Sequence, residues 1–268
     1  MLITFIDILI IWELLNGGST LYLDHIVHSV KKEPGEVAGE WIEKGIHAAV
    51  GGQHTQWGTY NALLYTRTSY IEWLAVEHEE ITKMAKHPLI DLMLHDLNSS
   101  GVGFNTICIR TTTIDSLCNQ LEERGIKTSG VLHAERKTTS GLVRKWKMLF
   151  LQEEISNDLP LPFFIEWEES DETRYLLLQE DGTIDKSNLE LSITTCEFHV
   201  GNPREVMDKW KSYFQLIEKD EQTLLLENTQ LVFKQNLSET KERLVSINID
   251  GSNLHKEVTY EQAIYRFL

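Results

Sequence analysis

The strongest constraint on this chain is that it says one thing twice. Glu43-Lys44-Gly45-Ile46 followed by Tyr70-Ile71-Glu72-Trp73 returns as Glu123-Arg124-Gly125-Ile126 followed by Phe164-Ile165-Glu166-Trp167. Each copy opens on an apolar strand, continues through an amphipathic helix that stops at a glycine, and closes on a strand with one carboxylate between apolar neighbours. Internal repetition of this kind predicts equivalent units packed against each other, with Glu72 and Glu166 meeting at a shared site.

The elements can be placed from local chemistry. Residues 21–30 form an apolar run of strand type, and Pro34 opens a helix whose apolar positions are Val37, Trp41 and Ile42. Gly51-Gly52 marks a turn, and strands are expected over 60–65 and 69–76, so the first unit is predicted to be βαβββ. Residues 77–97 connect the units as helix around Pro88. The second unit begins at 102–111, with Thr113 or Asp115 able to cap its helix, and it carries the longer insertion, which includes 157–162. A weaker third copy runs from strand 189–200 into a helix capped by Asn202 and opened by Pro203. Residues 244–249 and 260–268 suggest a partial fourth copy.

The expected organisation is an extension over 1–20, a two-unit domain over 21–180, and a third unit with a partial fourth over 185–268. The opening run has no basic residue before it and is broken by Asp7 and Glu13, unlike a signal peptide of ordinary form, and it is too short for a membrane span. Asn16-Gly17-Gly18 is also what a translated ribosome-binding sequence encodes, which makes Leu21 an alternative start. A lone weak third unit would need a surface to complete its sheet, so a homodimer is a further expectation.

Charge excludes one broad class. With 41 acidic against 25 basic residues and a net charge of −16, the chain is poorly suited to an extended phosphate-backbone interface, which draws its affinity from lysine and arginine. Neither nucleic acid nor membrane is expected as a partner. Three cysteines without a CxxC pair fit a reducing cytoplasm better than a disulfide framework. No Walker loop, dinucleotide fingerprint, HExxH helix or serine elbow is present.

Strand Asp24-His25-Ile26-Val27, the loop Gly51-Gly52-Gln53-His54 with Trp57-Gly58-Thr59-Tyr60-Asn61, and strand Tyr70-Ile71-Glu72-Trp73 resemble the glyoxalase-like branch of the vicinal-oxygen-chelate superfamily. The resemblance covers roughly residues 21–170. It implies an α+β fold of paired βαβββ modules whose curved mixed sheets enclose a pocket. It also implies a divalent metal, manganese, iron, nickel or zinc, that chelates neighbouring substrate oxygens. By position the ligands would be His25, Glu72 and Glu166. The fourth falls on Asn105 or Thr106, neither of them histidine, and three ligands hold a metal less firmly than four.

Other residues suggest roles of their own. Glu72 is the first candidate for acid/base catalysis, and His54, with an ordinary pKa near neutrality, is the second. Trp57, Thr59 and Asn61 are expected to line a ligand mouth. Alternation puts Arg144 and Trp146 on one strand face, where they would clamp an anionic group against an aromatic wall. His28, three residues from His25, falls on the opposite face. Two functions are compatible with this set. One is a small-molecule enzyme acting on an anionic substrate with vicinal oxygens, as isomerase, lyase or dioxygenase. The other is a metal-free binding or resistance protein that uses the same pocket.

Overall fold

The structure is a computed structural model that describes residues 20–99, 101–137, 143–236 and 241–268. The alternative start and nearly all of the expected extension lie outside the described residues.

The first unit comprises β1 (Tyr22–Ser29), α1 (Pro34–Glu43), β2 (Ala49–His54), β3 (Thr59–Tyr65) and β4 (Tyr70–Val76). Two short helices follow, α2 (Glu79–Met84) and α3 (Pro88–Ser99). The second unit is β5 (Gly103–Arg110), α4 (Ile114–Glu123), β6 (Leu132–Lys137), β7 (Val143–Leu149) and β8 (Phe163–Trp167), with α5 (Asp171–Glu180) behind it. Pro34 sits in the first turn of α1, where its missing N–H costs nothing. Gly45 and Gly125 take positive φ just past α1 and α4, a conformation that favours glycine at a helix end.

These units join in one curled mixed sheet of eight strands, ordered β2-β3-β4-β1-β5-β8-β7-β6. The seam is the antiparallel pair β1 and β5, with Ile26 opposite Ile107. Within each unit the first strand runs parallel to the last, β1 to β4 and β5 to β8.

The rest of the chain builds a second sheet by the same rule. It uses β9 (Ser192–Val200), α6 (Pro203–Phe214), β10 (Ile217–Asp220), β11 (Thr223–Leu226), β12 (Thr229–Gln235), β13 (Arg243–Asp250), β14 (Glu257–Tyr260) and β15 (Ala263–Phe267). Its order is β10-β11-β12-β9-β13-β15-β14. Strand β9 therefore finds its antiparallel neighbour, β13, within the same chain. Asn202 caps α6 by accepting the Glu205 N–H.

One apolar core runs through both sheets. It takes Trp41 from α1, Leu121 from α4 and Trp210 from α6, together with Ile26, Trp73 and Phe164 of the first sheet and Phe198, Phe233 and Tyr265 of the second. Polar groups that cross this core are paired. The Tyr265 hydroxyl accepts from Trp73 Nε1 at 2.9 Å and donates to His28 Nδ1 at 2.6 Å, leaving His28 Nε2 to donate to the Glu261 carbonyl at 3.3 Å. With α1, α4 and the second sheet on one side, the first sheet keeps its other face for a cleft.

Candidate functional site

Alternation along the strands decides what enters the cleft. Thr59, Asn61, Leu63 and Tyr65 of β3 line it, as do Tyr70, Glu72 and Leu74 of β4, while Ile71 and Trp73 turn into the core. Across the seam, Phe163, Ile165 and Trp167 of β8 and Arg144, Trp146 and Met148 of β7 form the facing wall. His54, Trp57, His87 and Leu89 close one end, and Arg174 and Leu178 of α5 close the other. The free space is about 100 Å³.

At its centre is a histidine held between carboxylates. On β1, Leu23 pairs with Ile109 and His25 with Cys108, so Asp24 is an extra residue in the ladder. Such a bulge lets two successive side chains reach the same side. His25 Nδ1 donates to Asp24 Oδ1 at 2.8 Å, and Nε2 faces Glu72 Oε2 at 3.7 Å. The imidazole is stacked on Tyr70, with ring centres 4.6 Å apart. Glu72 is buried and accepts from Asn61 Nδ2 at 2.6 Å through Oε1.

Asp24 is fully buried and surrounded by donors. Its Oδ2 accepts from Arg110 Nη1 and Trp167 Nε1, each at 3.0 Å, and lies 3.6 Å from Arg174 Nη2. Burial alone would raise its pKa, but Arg174, the His25 hydrogen bond and Arg110 together hold it well below the usual carboxylate range. Asp24 is thus a fixed negative charge that pins one tautomer of His25, with the proton on Nδ1 and the lone pair of Nε2 turned toward Glu72 and the cleft.

The expected residues divide by face. His25, His54, Trp57, Thr59, Asn61, Glu72, Arg144 and Trp146 all line the cleft. Glu166 does not join them. The strand phrase recurs one residue out of phase, so in the second copy Ile165 takes the inward direction and Glu166 the outward one, and a shift of one residue inverts every side chain of a strand. Glu166 Oε2 instead accepts the Ile114 N–H at 2.7 Å, and Lys147 Nζ lies 3.3 Å from Oε1. It caps α4 in place of Thr113, whose side chain makes no cap hydrogen bond. His54 shares a hydrogen bond with Thr59 Oγ1 at 3.1 Å, and Arg144 pairs with Asp181 at 3.6 Å.

Sequence reasoning missed Asp24, His87 and Arg174. Nothing in an apolar strand announces the bulge that turns Asp24 inward. Arg174 lies on a helix between the repeats and is almost fully buried. It packs over Trp167 with 4.5 Å from guanidinium to ring centre, and its Nε and Nη1 have no partner among the described residues.

The family model of the glyoxalase-like domain matches residues 23–214. The chain belongs to that family. A hypothetical protein from Staphylococcus aureus is similar over 92% of this chain and 99% of its own, at 27% identity and a TM-score of 0.75. Methylmalonyl-CoA epimerase from Mycobacterium tuberculosis covers 57% of this chain and 91% of its own at 18% identity and a TM-score of 0.37. The enzyme of that name from Streptomyces coelicolor covers 55% and 97% at 17% identity and a TM-score of 0.38. None of the curated proteins matches the chain. Among the described residues no helix is long and apolar enough to cross a membrane.

Glyoxalase-like proteins of the vicinal-oxygen-chelate superfamily often hold a divalent metal, and the donor set here can be tested against one. Asp24, His25 and Cys108 bring potential ligand atoms within 4.8 Å of one another. However, Asp24 is occupied by two guanidiniums, an indole and His25 itself, and burial pushes the Cys108 thiol far up, so that it stays protonated. His25 Nε2 and Glu72 remain, facing Leu74, Phe163 and Ile165. Two donors against an apolar wall fall short of the three or four protein ligands of an ordinary zinc-type site, and the residues present do not fit a resident metal.

Proposed function

We propose that this protein is a small-molecule enzyme of the glyoxalase-like type that moves a proton on an anionic substrate, with Glu72 and His25 as its acid/base pair. The observation that carries this reading is the chain Asp24–His25–Glu72, in which both ends of the imidazole face carboxylates. With Nδ1–H committed to Asp24, His25 Nε2 and Glu72 Oε2 are neighbouring acceptors for one incoming proton. Glu72 takes a proton from a carbon next to a substrate carbonyl, His25 shares it, and the pair returns it to the same or an adjacent atom. The balance is a proton shift, so no oxidant or leaving group is needed. Positioned groups of this kind contribute about 10²- to 10⁴-fold.

Arg174 and Arg144 support an anionic substrate. Both are buried in the cleft wall, where a charge-assisted hydrogen bond is stronger than in water. The three unpaired, buried thiols support a reducing, cytoplasmic setting.

The test is solvent-deuterium wash-in, followed by proton NMR, over a panel of 2-oxo acids and other carboxylates with an adjacent carbonyl. Exchange by the wild type that falls at least 100-fold in Glu72→Gln and His25→Ala supports the proposal. A second reading, a binding or resistance protein, draws on the aromatic lining of Trp57, Trp146, Trp167 and Phe163. Saturable binding across the same panel without any exchange would favour it.

A further inference from the structure

His87 is a feature of the cleft that the acid/base pair leaves without a role. It lies between α2 and α3, and its carbonyl accepts the Asp91 N–H at 2.9 Å at the head of α3. The residue is buried, with 6% of its surface exposed. The ring lies 4.3 Å from that of Trp57 and meets Phe150 edge-on at 5.0 Å. Neither ring nitrogen has a hydrogen-bond partner among the described residues.

Burial, aided by the neighbouring His54, holds the His87 pKa down at about 4. Near neutral pH the ring is therefore uncharged, with one N–H donor and one lone pair. A buried polar group left unpaired is destabilising, whereas phenylalanine would fill a similar shape without that cost. A buried imidazole with two unpartnered nitrogens on the wall of a cleft has hydrogen-bonding capacity to offer a ligand that enters it.

The strand register says where that partner sits. In the antiparallel pair of β3 and β4, Thr59 is opposite Val76 and Tyr65 is opposite Tyr70. Six residues of strand separate these ends, roughly 20 Å of backbone. His54 is hydrogen-bonded to Thr59 at the first end, beside Trp57 and His87. Tyr65 at the second end packs edge-on against Tyr175, the neighbour of Arg174 on α5. Glu72 and His25 lie between, so the cleft has an arginine-lined end and an imidazole-lined end.

We infer that His87 forms a second subsite for an uncharged polar group, a carbonyl, amide or hydroxyl on a flat apolar frame, with Trp57 packing against that frame. The inference rests on the cleft being the ligand site, as in the proposed function. It narrows the substrate class to molecules with an anion at one end and an uncharged hydrogen-bonding group at the other.

The probe is benzamide, which carries a planar ring, one acceptor, one donor group and no charge, and benzoate is its charged counterpart. Protein labelled with ¹⁵N-histidine reports each ring nitrogen separately. Benzamide is expected to move both His87 nitrogens, and His87→Phe is expected to lower the ratio of benzamide to benzoate affinity at least tenfold. His87→Asn, which keeps a donor and an acceptor, should recover part of that ratio and serves as the second variant if the phenylalanine form does not fold. Unmoved His87 nitrogens, a native ratio in His87→Phe, or no benzamide binding would each overturn the inference. Deuterium wash-in reads the acid/base proposal separately. Moved His87 nitrogens without wash-in uphold the subsite and sink the proton transfer, and wash-in with unmoved nitrogens does the reverse.

Discussion

Gly51 lies directly against Asn61, so that a Cβ built on the glycine would stand 1.9 Å from Asn61 Oδ1. The same amide accepts the Gly52 N–H at 2.8 Å and donates to Glu72 at 2.6 Å. The glycine pair of the β2 strand is therefore part of the apparatus that aims Glu72. Gly51→Ala is expected to displace Asn61, to cost about 1–3 kcal/mol as overpacking does, and to weaken any reaction that depends on Glu72. Urea unfolding together with wash-in kinetics would check both effects.

Asp24 fixes His25 and at the same time balances buried cations. Asp24→Asn keeps the shape but removes the charge, leaving Arg110 and Arg174 facing a neutral amide. Breaking a buried ion pair in this way costs about 3–5 kcal/mol, and proton transfer should fall by about 10²-fold or more as the His25 tautomer is released. Denaturant midpoints and the ¹⁵N shifts of the His25 ring measure the two consequences.

Stability should decline on acidification for a reason that lies between the two sheets. Burial, partly offset by the Glu261 carbonyl, lowers the His28 pKa from an ordinary 6.5 to about 3. Between those values the unfolded chain binds a proton that the native one refuses, so this contribution is whole above pH 6.5 and is lost as pH falls toward 3. The slope approaches about 1.4 kcal/mol per pH unit. His28→Gln, which keeps an acceptor for Tyr265, should flatten that part of the stability profile measured by urea unfolding at a series of pH values.

Glu166 separates a structural role from a chemical one. Glu166→Gln removes a charged cap from α4 and the more distant of the two carboxylates on Lys147, and should cost about 0.5–2 kcal/mol. The expected kinetic signature is a loss of thermal stability with kcat retained at temperatures where the variant is folded. A large fall in kcat without loss of stability would return Glu166 to the site.

The architecture was legible because it rests on periodic, local signals. The glycines after α1 and α4, Pro34 and Pro203 at helix starts, and the alternation of β3 and β4 each act within a few residues, and they predicted the α+β repeat that the sheets display. The same alternation brought His25, Asn61, Glu72, Arg144 and Trp146 to one cleft. Glu166 shows the limit. The words match, yet the strand is entered one residue out of phase, and an identical phrase then faces the other way. Asp24 was hidden by a bulge, which depends on how β1 meets β5 across 80 residues of chain. His87 and Arg174 come from a loop and a helix in connecting segments that the repeat does not contain, and their burial is a property of the assembled cleft.

The central claim is that Glu72 and His25 move a proton without a resident metal, and it is tested most directly by repeating the deuterium wash-in on protein treated with a chelator. The account predicts that exchange survives chelation and is lost in both Glu72→Gln and His25→Ala. Exchange that disappears with the chelator and returns on addition of manganese, nickel or zinc would contradict it.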